Sequence, residues 1–159
     1  MHRLILIVLL GVLSATPARA DPFGDGLTAY NAGDYGTAFA SWWPLARNGD
    51  AKAQASLGFL YYSGKGVRRD DQQSLRWFRS AAEAGQPTAQ FFLGLHYYYG
   101  RGVRRDLALA YSWCDIALSN GYSESLFCRD AIALEMTPAE MRRSNELTAA
   151  FYRSHQYRN

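Results

Sequence analysis

The sequence predicts an all-α fold, a short solenoid of antiparallel helix hairpins, on three observations. The first is self-similarity at a spacing of 36 residues. Ala53–Gln86 and Ala89–Tyr122 align without a gap and share 15 of 34 positions, which marks a repeat architecture. The second is a helical period inside each unit: Ala53, Leu57 and Tyr61 fall at i, i+4 and i+8, on one face of a helix. The third is glycine at fixed places. Gly64, Gly66 and Gly85 recur as Gly100, Gly102 and Gly121, where positive φ ends a helix and turns the chain.

Ahead of that pattern lies a segment of another kind. Residues 1–20 carry His2 and Arg3, an apolar run from Leu4 to Leu13, and Ala18-Arg19-Ala20. This is the arrangement of a secretory signal peptide cleaved after Ala20. The run is about half the roughly twenty residues that a spanning helix needs. No later apolar stretch is long enough either, so no stable membrane insertion is expected after cleavage. Removal of residues 1–20 leaves 15 basic residues against 14 acidic, and the basic balance of the whole chain nearly disappears. That balance points neither to nor away from nucleic acid, but export disfavours it as a partner. The expected location is outside the cytoplasm: the periplasm in a Gram-negative source, the medium otherwise.

The units follow in order. Residues 21–50 read as a degenerate N-terminal helical unit, because Asp34 and Gly49 keep the 36-residue register with Asp70 and Gly85. Its second helix carries Ala38, Trp42 and Leu45, and Pro44 is expected to kink it. In residues 51–86 the first helix stops at Gly64-Lys65-Gly66, and Val67 plugs the turn into the core. Asp70 caps the second helix, with Gln73 placed for a capping box. Leu75, Phe78 and Ala82 form its apolar stripe. Pro87 then opens residues 87–122 at a position where proline is tolerated. Residues 123–159 read as capping helices in a closing hairpin. Thr137-Pro138-Ala139-Glu140 is a strong helix start, whereas Arg129 stands where the previous unit has Leu93.

The pattern A-x-x-x-L-G-x-x-Y-x-x-G-x-G-V-x-x-D, followed by W-x-x-x-A and a closing glycine, resembles the Sel-one-like repeat. That family is related to the tetratricopeptide repeat and has a longer interhelical loop. Ala53–Gly85 and Ala89–Gly121 carry the resemblance, and the flanking units match more loosely. It implies a right-handed solenoid whose degenerate ends serve as caps, with first helices lining a concave surface. It also implies an adaptor or regulatory role.

Cys114 and Cys128 flank the turn near Gly121, each seven residues from it, so an antiparallel hairpin brings them level. In an exported protein they are expected to form a disulfide if their side chains face each other; two buried thiols are the alternative. No Cys/His set has zinc spacing, and no metal or cofactor is expected. The chain has no G-x-S-x-G elbow and no S-x-x-K. Gly64-Lys65-Gly66 and Gly100-Arg101-Gly102 lack a phosphate-loop signature. Nothing in the sequence supplies a Ser–base pair. No enzyme is expected.

Two surfaces remain. Residues 91–99 have apolar or aromatic side chains almost all round the helix. Ala89, Leu93 and Tyr97 suffice for the core, Phe92, His96 and Tyr99 share a flank, and Phe91, Leu95 and Tyr98 lie opposite the core stripe. With Phe59 and Tyr62 of the preceding unit, Phe91, Leu95 and Tyr98 are the candidate contacts for another protein or peptide segment. The competing account is that neighbouring hairpins bury these rings. The second surface is basic: Lys65, Arg68 and Arg69 recur as Arg101, Arg104 and Arg105, a ladder along one edge that would steer an acidic partner or serve only as solvated charge. The expected function is protein–protein interaction in the cell envelope. The rival is a glycan- or small-molecule-binding protein, or a degenerate cell-wall or β-lactam hydrolase, which needs a pocket with convergent polar groups.

Overall fold

The computed structural model describes residues 21–155, and the proposed signal peptide lies outside them. The described residues form eight helices and no strand: α1 (Pro22–Asn31), α2 (Tyr35–Arg47), α3 (Ala51–Ser63), α4 (Asp71–Glu83), α5 (Pro87–Tyr99), α6 (Leu107–Ser119), α7 (Ser125–Glu135) and α8 (Pro138–His155). None of them is long and apolar enough to cross a membrane. The helices α1–α2, α3–α4 and α5–α6 pair as hairpins, and each hairpin packs on the next.

Local chemistry sets the boundaries. Asp34, Asp50, Asp70 and Asp106 each accept a backbone N–H from the first turn that follows, satisfying donors that the helix leaves unpaired. Gly64 and Gly100 end α3 and α5 in the left-handed conformation. Gly66 and Gly102 have a second duty. A Cβ on Gly66 would stand 2.7 Å from the backbone carbon of Tyr35, and one on Gly102 would stand 2.6 Å from the backbone oxygen of Asp71. The loop of each unit is thus seated on the start of the preceding unit's second helix. At the opposite end, Gln54 Nε2 donates to the Ala46 carbonyl at 3.1 Å, and Gln90 Nε2 to the Ala82 carbonyl at 3.2 Å. These identical bonds between successive units explain why both glutamines belong to the repeat.

Helix α2 continues through Pro44 to Arg47, and the proline is exposed. One expectation needs correction: the C-terminal helices do not close as a hairpin. Helix α8 lies along α6 and barely touches α7, held by Arg143 to Asp106 at 2.9 Å, Ser112 to Thr148 at 2.9 Å and the Trp113–Phe151 ring pair. The reason lies in the first-helix glycine. A Cβ on Gly58 would stand 2.8 Å from the Phe78 ring, and one on Gly94 2.7 Å from Cys114 Sγ, so only glycine lets the two helices of a hairpin approach. Helix α7 has Asp130 at that position and keeps its second helix at a distance. The expected helix start does form: Thr137 N donates to Glu140 Oε2 at 2.8 Å, and Glu140 N to Thr137 Oγ1 at 3.2 Å, a capping box.

Candidate functional site

The first helices α1, α3 and α5 turn one face toward a groove of about 500 Å³. Its walls are Phe23, Leu27 and Tyr30 from α1, Ala55, Ser56 and Phe59 from α3, and Thr88 and Phe92 from α5; Trp42 and Phe78 reach in from the second helices, and Tyr122 stands at the far side. The rings form a continuous chain. Tyr30 meets Phe59 at 6.3 Å, Phe59 meets Phe92 at 5.6 Å, and Phe92 lies flat on Phe78 at 4.8 Å between centroids. Lys52 is the sole charged residue of the lining, and no carboxylate is in it. The groove is therefore an apolar slot with few polar groups to fix a small molecule.

The five predicted contacts divide. Phe59 lines the groove. Tyr62 borders it, with Phe92 at 5.2 Å. Phe91, Leu95 and Tyr98 lie outside it and are half-buried; Phe91 packs on Tyr122 at 5.1 Å and Tyr98 on Tyr99 at 4.8 Å. The α1 wall escaped the sequence reading because the first interhelical loop is four residues shorter, which breaks the 36-residue register. The signal was present as G-x-x-x-Y: Gly26…Tyr30 repeats as Gly58…Tyr62 and Gly94…Tyr98. Gly26 has the same duty as the others, with a built Cβ 2.4 Å from Trp42 Nε1. The stripe also continues past α5. Phe127 and Leu134 of α7, one repeat beyond Phe91 and Tyr98, are 80% and 90% exposed.

The six loop cations do not form a uniform ladder. Arg69 is paired with Asp71 at 3.0 Å and Arg105 with Glu135 at 2.6 Å, while Arg68 and Arg104 are exposed on the loops. Lys65 and Arg101 fold back onto the preceding unit. Lys65 Nζ donates to Tyr30 Oη at 3.0 Å and lies 5.0 Å from the Tyr30 and Tyr35 ring centroids. The Arg101 guanidinium sits 5.0 Å from the Tyr62 ring and 5.2 Å from that of Tyr99. Such cation–π contacts clamp successive units and keep positive charge at the edge of the aromatic face.

The helices do bring a serine and a histidine together, contrary to the sequence expectation. Ser74 Oγ lies 3.0 Å from His96 Nε2, and His96 Nδ1 lies 2.8 Å from the Arg101 carbonyl. A carbonyl only accepts, so Nδ1 carries the proton and Nε2 receives the Ser74 hydroxyl. Burial pushes the His96 pKa below its ordinary value and keeps the ring neutral. Both side chains have 0% exposure. One unit earlier the same two positions are Ala38 and Leu60. The pair is a satisfied polar insert in the core, sealed from substrate.

Cys114 and Cys128 face each other with sulfurs 2.8 Å apart, but the expected disulfide is not formed: both are thiols here, Cys114 buried and Cys128 half-buried. Their mutual hydrogen bond and burial raise the Cys114 pKa, while the bond lowers that of Cys128. Asp115 lies 3.5 Å from Arg129, which also pairs with Asp130 at 2.7 Å, so these carboxylates share one guanidinium. Among the described residues no cluster of three His, Cys, Asp or Glu side chains converges.

Known proteins bear on this architecture. The Sel1 repeat matches residues 51–86 and 87–122. The crystal structure of c5321, a protective antigen of uropathogenic Escherichia coli with an SLR fold, superposes with a TM-score of 0.78 and 30% identity, over 82% of this chain and 29% of that one. A Sel1 repeat protein from Oxalobacter formigenes superposes with a TM-score of 0.63 and 32% identity, over 69% of this chain and 86% of that one. HRD3A of Arabidopsis thaliana, a component of an ERAD-associated E3 ubiquitin-protein ligase, is 42% identical over 43 residues, 26% of this chain and 6% of the plant protein. The chain thus spans less than a third of the longer antigen and a small part of the plant protein. Sel1 repeats generally mediate protein–protein interaction. With the two repeats, the eight-helix array and a relative matched over most of its length, the chain belongs to the Sel1 repeat family.

Proposed function

We propose that the protein is an exported, non-enzymatic docking module that holds a segment of another protein along its first-helix face, in the periplasm if the source is Gram-negative. The carrying observation is the groove across α1, α3 and α5, walled by rings and free of carboxylates. Aromatic walls of this kind offer large contact area at low entropic cost. The family's general role agrees with it, and HRD3A, a named component of a larger assembly, is an example of the repeat in such a setting. In the oxidising space outside the cytoplasm, Cys114 and Cys128 pass two hydrogens to an external disulfide and close a bond between α6 and α7. A small-molecule or hydrolytic role is disfavoured because the Ser74–His96 pair is sealed and the groove lining is mostly apolar.

The test is site-specific photocrosslinking in the native envelope. A photoreactive residue at Leu27, on the groove lip and 45% exposed, should give a discrete adduct. The same residue at Arg76, exposed on α4, should give none, and Tyr62→Ala should abolish the Leu27 adduct while the circular dichroism spectrum stays unchanged. Equal adducts from Leu27 and Arg76 would sink the groove as the docking surface. A rise in melting temperature with wall fragments or β-lactams, and no protein adduct, would favour the ligand-binding reading instead.

A further inference from the structure

The aromatic face ends in a site where the chain supplies a carboxylate to itself. At the last turn of α5, the Tyr98 hydroxyl donates to Glu135 Oε1. Arg105 Nη2 donates to Glu135 Oε2 at 2.6 Å, with its guanidinium 5.3 Å from the Tyr98 ring. These contacts hold the Glu135 pKa below its ordinary value, the Tyr98 bond first and the Arg105 bond second. A tyrosine hydroxyl and a stacked cation thus form a carboxylate cradle, closed from within by the end of α7.

The repeat builds a related rung one unit earlier and leaves it open. Tyr62 stands where Tyr98 stands, and Arg101 lies on its ring. The position equivalent to Glu135 is Tyr99, 58% exposed. One unit further back Tyr30 carries Lys65 in the same way. Among the described residues neither Lys65 nor Arg101 forms an ion pair with a carboxylate, whereas Arg69 and Arg105 both do. Asp71, the acid electrostatically coupled to Arg101, is already engaged with Arg69. Both open rungs border the groove, since Lys65 lies 5.8 Å from the Phe59 ring and Tyr62 lies 5.2 Å from Phe92.

We infer that the Tyr30/Lys65 and Tyr62/Arg101 rungs receive two carboxylates of an acidic segment of a partner protein, bound extended across the groove as Glu135 is bound at the third rung. This rests on the docking reading above and specifies its ligand. Tyr30 and Tyr62 both meet the Phe59 ring, at 6.3 and 6.5 Å between centroids, and an extended chain in the polyproline II conformation rises about 3.1 Å per residue with three residues per turn, so that side chains three positions apart share a face. Carboxylates three positions apart in the segment therefore match two successive rungs, with apolar side chains between them entering the groove.

The experiment is fluorescence anisotropy on the purified protein. The probes are fluorescein-labelled twelve-residue peptides rich in Leu and Phe, each with two aspartates placed adjacent or three positions apart, or with both replaced by asparagine. The expected result is about tenfold tighter binding of the three-apart peptide than of the other two, a typical span for two charge-assisted hydrogen bonds near a surface. Arg101→Gln and Tyr62→Phe should each erase most of that preference, so that the three-apart peptide binds little tighter than the asparagine peptide. Glu135→Gln should open the third rung, so that a third aspartate three positions on tightens binding only in that variant. Equal affinity for all peptides would overturn the rungs while leaving the groove as a docking surface. Preference for charge without regard to spacing would overturn them in favour of diffuse attraction. Binding of no peptide would overturn the groove reading and the rungs together.

Discussion

At the junction between residues 51–86 and 87–122, Phe78 lies flat against Phe92, with planes 5° apart. At the next junction the same two positions are Cys114 and Cys128. The backbone register is the same, and Gly58 and Gly94 open the same space above each. What differs is the source of cohesion. The ring pair contributes buried apolar area in any compartment, whereas the thiol pair contributes little area and gains its main effect by becoming covalent. The repeat thus fixes where units meet and leaves open what holds them.

The sharpest way to break this comparison is to truncate both junctions. Phe78 is wholly buried, and Phe78→Ala should cost about 3–5 kcal/mol, enough to unfold a marginal array of this size. Cys114→Ala, measured with the protein reduced, should cost only about 1 kcal/mol, since little more than a sulfur is removed. Urea denaturation of the two variants gives both numbers. Equal losses would mean that the thiol junction packs as well as the ring junction.

Oxidation should then reverse the order of the junctions. A bond from Cys114 to Cys128 closes a loop of about 15 residues, for which the chain-entropy account gives about 3 kcal/mol. Intact-mass measurement should show a loss of two hydrogens on exposure to oxidised glutathione, with a rise in melting temperature that dithiothreitol removes and Cys128→Ser never shows. If the mass stays unchanged under oxidant, the pair is only a packing element.

How much of this was legible depends on the range of the signal. Helices α3 to α6 were readable because caps, glycine stops and apolar spacing are local and occur twice. Helix α1 was obscured by its shorter loop, although Gly26 and Tyr30 carry the motif. The position of α8 was not readable at all from its own residues. It follows from Asp130 standing where Gly58 and Gly94 stand, a fact about α7 that redirects another helix. The groove was legible in part. Phe59 and Tyr62 were found by their place opposite the core stripe, but Phe92 and Tyr30 enter it through contacts between units. The pairing of Lys65 and Arg101 with rings of the preceding unit likewise needs the stacking geometry, which no single repeat contains.

The core offers a second contrast between units, testable with pH. Ser74 and His96 occupy the places of Ala38 and Leu60. Burial lowers the folded His96 pKa from its ordinary 6.5, against smaller upward pulls from the Arg101 carbonyl and Asp71; Arg101 and Arg69 add to the lowering. The unfolded chain therefore takes up the proton first as pH falls through about 6.5. Stability present above that pH is lost below it, by up to about 1.4 kcal/mol per pH unit until the folded ring protonates as well. Urea midpoints between pH 7.5 and 5 should fall in the parent and fall less in a Ser74→Ala, His96→Leu variant, which restores the earlier unit's pair. Parallel curves would place the acid sensitivity elsewhere.

The smallest expected effect separates the two ends of the aromatic stripe. Phe91 and Tyr98 are half-buried, Phe91 against Tyr122 and Tyr98 against Tyr99, while Phe127 and Leu134, their counterparts on α7, lie almost wholly in solvent. A side chain that gains no burial on folding contributes little to stability, so Phe127→Ser with Leu134→Ser should shift it by less than about 0.5 kcal/mol. Phe91→Ser should cost several times more, because its contact with Tyr122 is lost. If the α7 double variant proves as damaging as Phe91→Ser, then α7 has a covering partner in solution, and the end of the array is an interface rather than a terminus.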